Sequence, residues 1–158
     1  MELQPKRVSD SKTEQVQIIM PAQINGFKRL FGGQLVQWID IVAGVVARRH
    51  SNRNVTTVSI DNLHFKEAAY VNNTMLLVGR ITYVGNTSME VRVDTFVESL
   101  SGEKRLVNRA YLVLVALDDT ERPTKVPGII LETEEEKAEW EAGEKRNALR
   151  KQRMIEQY

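Results

Sequence analysis

One long apolar run, LVQWIDIVAGVVARR, constrains the fold of this 158-residue chain more than any other feature. Its length favours a helix over a strand, and a helix over residues 33–49 would extend about 25 Å at ~1.5 Å per residue. Apolar side chains cover most of its circumference, which is typical of a helix enclosed by protein. We therefore predict one long helix deep inside the fold.

Strand patterns flank this helix on both sides. An alternating run over residues 15–20 ends at Pro21, and the chain beyond the helix has the pattern of consecutive strands. The clearest of these later strands are predicted over residues 57–61, 74–84, 87–99 and 105–117. Because Gly85 and Asn86 can both take positive φ, the connection between the second and third of them is predicted to be a tight hairpin.

The strand over residues 87–99 alternates between apolar and charged residues. This pattern predicts one buried face and one solvent-facing side that carries Glu90, Arg92, Asp94 and Glu98. A doubly wound parallel sheet would need helices between the later strands, and the sequence predicts none there. The predicted class is α+β, with an antiparallel five-stranded sheet wrapped around one long central helix and a further helix at the C-terminus.

The composition divides the chain into three parts. Residues 1–12 are polar and are predicted to be a flexible arm, residues 13–120 the folded domain, and residues 121–158 a linker and a charged helix. Thr133 and Glu136 have the spacing of a capping box, which predicts a helix start there, and seven Glu in residues 132–144 precede five Lys and Arg in residues 145–153, an order that complements a helix dipole. A solvated helix is the favoured interpretation. The alternative is that a phosphate-bearing ligand or a neighbouring subunit is reached by Arg146, Arg150, Lys151 or Arg153.

Charge and cysteine content narrow the possible partners. A formal net charge of +1 gives no electrostatic reason to expect nucleic acid or an acidic membrane as a partner, and no apolar stretch approaches the ~20 residues that span a bilayer. The absence of cysteine excludes disulfides and thiolate chemistry, and it fits a cytoplasmic protein. No metal site is predicted, since His50 and His64 lack a suitably spaced third ligand.

Asp40 is the most unusual residue of the long helix. It lies in the middle of a narrow polar stripe, far from either helix end, so no capping role explains it. A carboxylate inside protein costs several kcal/mol unless it is hydrogen-bonded, paired or hydrated. Asp40 therefore either accepts hydrogen bonds from a neighbouring strand or subunit, or acts as a general base or nucleophile in a cleft.

The loop INGFKRLFGG leads into the helix N-terminus. Gly32 and Gly33 allow backbone N–H groups to approach a ligand closely, and the helix dipole there favours an oxygen that develops negative charge. Asn25 has two interpretations: it stabilises the turn, or it orients a water or polarises a carbonyl group.

The stretch MPAQINGFKRLFGGQLVQWIDIVAG resembles the signature of hotdog-fold acyl-CoA thioesterases, specifically the bacterial single-domain relatives of the cytosolic brain-type acyl-CoA hydrolases. The matching positions are Asn25, Phe31, Gly32, Gly33, Leu35, Trp38, Asp40 and Ala43. A second block, YVGNTSMEVRV, is similar to the strand pair that contacts coenzyme A in that family.

The resemblance implies an acyl-CoA thioesterase that needs no cofactor, since coenzyme A is part of the substrate. It implies that Asn25 and Asp40 are catalytic and that opposite subunits of a dimer contribute them to one site. The dimer is the expected minimum unit, and a hexamer built as a trimer of dimers is the expected assembly. Together with the position of Gly33 at the helix N-terminus, the resemblance implies that the Gly33 N–H donates a hydrogen bond to the oxyanion. The residues expected to contact substrate or coenzyme A are Gly32, Phe65, Gly85, Asn86, Thr87, Ser88, Met89 and Arg150.

Two departures from the family pattern bear on substrate entry. Lys28 stands where many members have glycine, and the loop after Phe65 reads KEAAYVNNT instead of carrying Pro and Gly-Asp. Three alternatives stay open: a non-catalytic acyl-CoA-binding regulator, a hotdog hydratase or dehydratase, and a structural protein in which Asp40 is only hydrogen-bonded.

Overall fold

The computed structural model describes residues 2–61 and 63–157. The elements in chain order are β1 (Lys6–Arg7), α1 (Val8–Ser11), β2 (Thr13–Ile18), α2 (Gly32–Ser51), β3 (Asn54–Asp61), β4 (Thr74–Val84), β5 (Ser88–Glu98), β6 (Lys104–Leu117), β7 (Ile129–Ile130) and α3 (Glu134–Glu156). Five of the strands form an antiparallel sheet in the order β2-β4-β5-β6-β3, and this sheet curls around α2. The predicted architecture is confirmed.

Helix α2 is slightly longer than the prediction for residues 33–49. It begins after Phe31 and ends where Asn52 takes a left-handed conformation with φ of 56°, from which its N–H donates to the Arg48 carbonyl at 2.7 Å. Asparagine tolerates this conformation better than most residues, so the end of the helix is encoded locally.

One side of α2 is buried against the sheet. The buried apolar residues of this side are Leu35, Trp38, Ile39, Val42, Ala43, Val46 and Ala47. Gly79 of β4 permits the close approach, since a Cβ there would lie only 2.7 Å from Val42 Cγ1. On the opposite side Gln37 is exposed and Ile41 is 49% exposed. The prediction of a wholly enclosed helix is therefore wrong for the single chain, because the sheet covers only part of the circumference.

The charged face of β5 is buried, contrary to the prediction. Glu90, Arg92 and Asp94 are only 1%, 5% and 2% exposed. Helix α3 lies across this face: Gly143 packs on Tyr83 and Glu90, and the Trp140 ring lies 4.5 Å from the Tyr83 ring. The interpretation of α3 as a solvated helix is wrong for the side that faces the sheet. Its predicted start is confirmed, since Thr133 Oγ1 accepts the Glu136 N–H at 3.0 Å.

Part of the N-terminal segment is ordered rather than a flexible arm. β1 pairs in parallel with β7, and Val8 and Ser11 of α1 are buried. Lys6 extends to the end of α2, where its Nζ donates to the Arg49 carbonyl at 2.9 Å. Among the described residues, no helix is long and apolar enough to cross a membrane.

Candidate active site

The loop before α2 is held by the side chain of Asn25. Its Oδ1 accepts the N–H groups of Phe27 at 2.9 Å and Arg29 at 3.3 Å, so the turn interpretation is confirmed. Lys28, which replaces the glycine of the family pattern, takes a left-handed conformation with φ of 62°. Within the described chain, Asn25 Nδ2 has no hydrogen-bond partner, and it remains able to donate to a ligand.

The first turn of α2 presents N–H groups to which its N-cap residue offers no side-chain hydrogen bond. Phe31 occupies the N-cap position and supplies no side-chain acceptor. The Phe31 ring packs on Gly33, where an added Cβ would lie 2.7 Å from a ring carbon, and the Phe65 ring lies beside Gly32. Uncapped N–H groups at a helix N-terminus favour an oxygen with negative charge, so this position can hold an oxyanion.

A pocket of about 420 Å³ opens beside this helix N-terminus. Three of the predicted residues, Asn25, Gly32 and Phe65, line it together. The remaining lining residues are Arg29, Leu30, Leu35, Lys66, Glu67, Ala68, Ala69, Met75 and Val107. The arrangement combines hydrogen-bond donors with an apolar interior, as ligand pockets commonly do.

Asp40 lies on the partly exposed side of α2, outside this pocket. The Thr57 hydroxyl of β3 donates to Asp40 Oδ1 at 2.6 Å. This hydrogen bond fixes the carboxylate and leaves Oδ2 available to a ligand or a water. Sequence reasoning missed Thr57, although its place in an alternating strand put it on one defined face. Seven residues separate Gly33 from Asp40, about 10 Å along the helix, so one chain does not bring Asn25 and Asp40 together.

The hairpin between β4 and β5 differs from the prediction in two respects. Gly85 and Asn86 do not take positive φ. Met89 is fully buried in the core and cannot contact a ligand, so its predicted role in binding coenzyme A is wrong. The hairpin is nevertheless tight, as predicted, since the Gly85 N–H donates to the Ser88 carbonyl at 2.9 Å. The rest of the chain also supports the turn: the Thr87 carbonyl accepts the Ala116 N–H, and the Asn86 carbonyl accepts the Val126 N–H.

Ser88 and Arg150 share a second groove of about 580 Å³ on the outer side of the sheet. Arg150 Nη2 lies 3.1 Å from Glu90 Oε2 and its Nη1 lies 3.6 Å from Asp61 Oδ2. Arg146 donates to the same Glu90 carboxylate at 2.8 and 3.0 Å. The two guanidinium groups are therefore already engaged within the chain.

The neighbouring charged and hydrogen-bonding groups determine the pKa of Glu90. Burial by itself would raise the pKa, but the hydrogen bonds from Arg146 and Thr82 and the charges of Arg146 and Arg150 outweigh it and lower the pKa below its usual value. Glu90 is therefore ionised at neutral pH and joins α3 to the sheet.

The histidines do not contribute to the pocket. His50 lies in the last turn of α2, and its Nε2 lies 2.8 Å from the Pro127 carbonyl oxygen. Burial lowers the pKa of His50, which keeps the ring neutral. In residues 2–61 and 63–157, no three His, Asp or Glu side chains lie close enough together to hold a metal ion.

A curled antiparallel sheet around one long helix, with a pocket at the helix N-terminus, defines a hotdog domain of the thioesterase type. The model of the thioesterase superfamily matches residues 27–101. The uncharacterized acyl-CoA thioester hydrolase YkhA of Bacillus subtilis is 37% identical over 80% of this chain and 74% of its own length. The chain therefore belongs to the thioesterase superfamily.

A second relative is longer than this chain. The cytosolic acyl coenzyme A thioester hydrolase of Rattus norvegicus is 32% identical over 90% of this chain but only 38% of its own length.

Solved structures agree over nearly the whole chain. A hexameric acyl-CoA thioesterase has a TM-score of 0.89 at 35% identity and covers 96% of this chain and 98% of its own. An acyl-CoA hydrolase of Staphylococcus aureus, in complex with butyryl coenzyme A and coenzyme A, has a TM-score of 0.89 at 31% identity over 97% and 94%. Alanine variants of that hydrolase replace an asparagine, an aspartate and a threonine, spaced along its chain as Asn25, Asp40 and Thr57 are here.

Proposed function

We propose that this protein hydrolyses acyl-CoA thioesters to a free fatty acid and coenzyme A. The observation that carries the proposal is the partly exposed Asp40 in the middle of α2, fixed by the Thr57 hydroxyl at 2.6 Å. A carboxylate with a purely structural role does not have to be accessible to a substrate, whereas a general base or nucleophile does. The names of the relatives and the matching spacing in the Staphylococcus aureus hydrolase support the same conclusion.

In this mechanism Asp40 either takes a proton from a water that attacks the thioester carbonyl or attacks that carbonyl itself and forms an anhydride that water then opens. The carbon–sulfur bond breaks, coenzyme A leaves as the thiol after gaining a proton, and the acyl group leaves as the carboxylic acid. The Gly33 N–H stabilises the oxyanion, which contributes about 3 kcal/mol for a donor of this kind. Asn25 Nδ2 donates to the carbonyl or to the water.

Two copies of the chain are needed to complete this site. Asn25 and the α2 N-terminus lie at one pocket, and Asp40 lies about two helical turns away on the side of α2 that the sheet leaves open. We propose a dimer in which one subunit supplies Asn25 and Gly33 and the other supplies Asp40. The hexameric relatives support a trimer of such dimers.

Coenzyme A extends from this site over the protein surface. Gly32 and Phe65 line the pocket that receives the thioester end, and the groove with Ser88 and Arg150 is open to the nucleotide end. Gly85, Asn86 and Thr87 form the adjoining turn. The cytosolic name of the rat relative supports a cytoplasmic location.

The test of the proposal is Asp40→Asn, which keeps an oxygen for the Thr57 hydroxyl but removes the charge. We expect kcat for acyl-CoA hydrolysis, measured by thiol release from esters of short to long chain, to fall roughly 100- to 10,000-fold. The control is Asp119→Asn in an exposed turn. Unchanged turnover in Asp40→Asn would show that Asp40 is neither the general base nor the nucleophile. Stabilisation of the unmodified protein by coenzyme A with no thiol release would indicate a non-catalytic acyl-CoA-binding protein instead.

A further inference from the structure

We infer that the acyl chain enters the pocket beside the α2 N-terminus and that Ala69 and Met75 close its inner end, so that these two side chains set the longest acyl chain that the pocket holds. This inference rests on the proposed function. The inference goes beyond the proposed function by assigning the residues that determine chain-length specificity.

The polarity of the pocket changes from its mouth to its interior. Asn25, Arg29, Lys66 and Glu67 are exposed at the mouth. The interior is apolar and buried, and its side chains are Leu30, Leu35, Ala69, Met75 and Val107. A thioester has this same order of polarity, because its carbonyl remains near the hydrogen-bond donors of Gly32, Gly33 and Asn25 while the hydrocarbon chain extends away from them.

The wall that carries Ala69 is fastened at several points. The Lys66 N–H donates to the Val107 carbonyl at 2.9 Å, and the Leu30 N–H donates to the Ala69 carbonyl at 2.8 Å. Arg29 forms an antiparallel bridge with Tyr70. Because β6 and the loop before α2 both hold this wall, Ala69 has a fixed place in the lining of the pocket.

The volume of the pocket indicates the length of chain that fits. The volume of about 420 Å³ lies within the range of roughly 300–1,000 Å³ typical of pockets that enclose small organic ligands, so an acyl chain of medium length fits. Each methylene that becomes buried is expected to raise kcat/KM about fourfold. Methylenes beyond the inner end stay outside and bring no further gain.

The experiment compares two buried residues of the same strand. Met75 and Leu77 are both fully buried on the inner face of β4, but only Met75 lines the pocket. Met75→Ala and Leu77→Ala each remove three heavy atoms from the core. We measure kcat/KM for acyl-CoA esters of four to eighteen carbons with the full-length protein and both variants.

In the unmodified protein, kcat/KM is expected to rise with acyl chain length up to a limiting length. We expect Met75→Ala to make this limiting length two or three carbons longer. Ala69→Leu moves it to shorter chains by a similar amount, and Leu77→Ala leaves it unchanged. If Met75→Ala does not fold, Met75→Val removes less volume and is expected to give a shift of about one carbon.

Three results would overturn the inference. If the Met75 and Ala69 variants keep the parental profile, or if Leu77→Ala shifts it as much as Met75→Ala, then these residues do not end the acyl pocket, and the proposed function stands. If the unmodified protein releases no thiol from any ester, then the proposed function itself fails, and the inference with it.

Discussion

At the scale of single residues, the hydrogen bond between Thr57 and Asp40 is the contact on which the proposed chemistry most depends. The sequence identified Asp40 because a carboxylate in the middle of an apolar helix requires a reason. It did not identify Thr57, which lies in a strand whose position relative to α2 depends on the sheet order. The pair occurs only because β3 is an edge strand that passes alongside the middle of α2.

The first prediction concerns this pair. Thr57→Val keeps the shape of the side chain but removes the donor to Asp40, and a hydrogen bond to a charged group contributes about 1.5–3 kcal/mol. We expect kcat for acyl-CoA hydrolysis to fall roughly tenfold to a hundredfold with little change in KM. Thr57→Ser, which restores the hydroxyl, should recover most of the rate. Equal rates for the Val and Ser variants would show that the hydroxyl does not act on Asp40.

At the scale of elements, α3 is held on the sheet by buried charges in addition to the packing of Trp140 on Tyr83. Glu90 accepts hydrogen bonds from Arg146 and Thr82, and its carboxylate also lies 3.1 Å from Arg150. The alternating pattern of β5 correctly predicted two chemically different faces. It could not reveal which element covers the charged one, because the partners of Glu90 on α3 lie more than fifty residues away in the sequence.

The second prediction follows from the lowered pKa of Glu90. A carboxyl group whose folded pKa is lowered contributes stability that is present above its unfolded pKa of about 4.3 and lost as the pH falls through the folded pKa. We expect Glu90→Gln to lower the free energy of unfolding by about 3 kcal/mol at pH 7, since it leaves two guanidinium groups without their shared carboxylate. Denaturant unfolding at pH 7 and below pH 4 measures the difference from the unmodified protein.

That difference should narrow at the lower pH, because the unfolded chain then binds a proton at Glu90 that the folded protein does not, which lowers the stability of the unmodified protein. Glu98→Gln, on the same strand but partly exposed, is the matched control and should cost little at either pH. A difference for Glu90→Gln that stays constant from neutral to acid pH would contradict the role of ionised Glu90.

At the scale of the whole molecule, the proposed site is incomplete in a single chain. The pocket with Asn25 and the carboxylate of Asp40 lie on different parts of α2, and Ile41 on the open side of that helix is half exposed. An exposed apolar side chain next to a fixed carboxylate is what a contact with a second copy would cover.

The third prediction tests this arrangement with mixed oligomers. Asn25→Ala and Asp40→Asn are each expected to be nearly inactive alone, but random mixing of the two subunits gives dimers in which one of the two sites is intact. The mixture should then recover about a quarter of the parental rate of thiol release. Recovery no greater than the mean of the two separate variants would mean that each subunit builds its own site.

The sequence by itself determined those features that are encoded locally. Apolar periodicity predicted α2 and the strand over residues 74–84, and the cap at Thr133 predicted the start of α3. Residue type and position singled out Asp40 and the glycines at the start of α2. Such features depend on neighbours a few positions apart, which a single sequence displays directly.

Only the tertiary structure decided which surfaces meet. It buried Glu90 beneath α3 and Met89 in the core, left Ile41 exposed, and brought Thr57 to Asp40. It also enclosed the pocket between residues as distant as Leu30 and Val107. The physical reason is that burial and hydrogen bonding depend on the packing of segments far apart in the chain, whereas periodicity records only which face of an element is apolar.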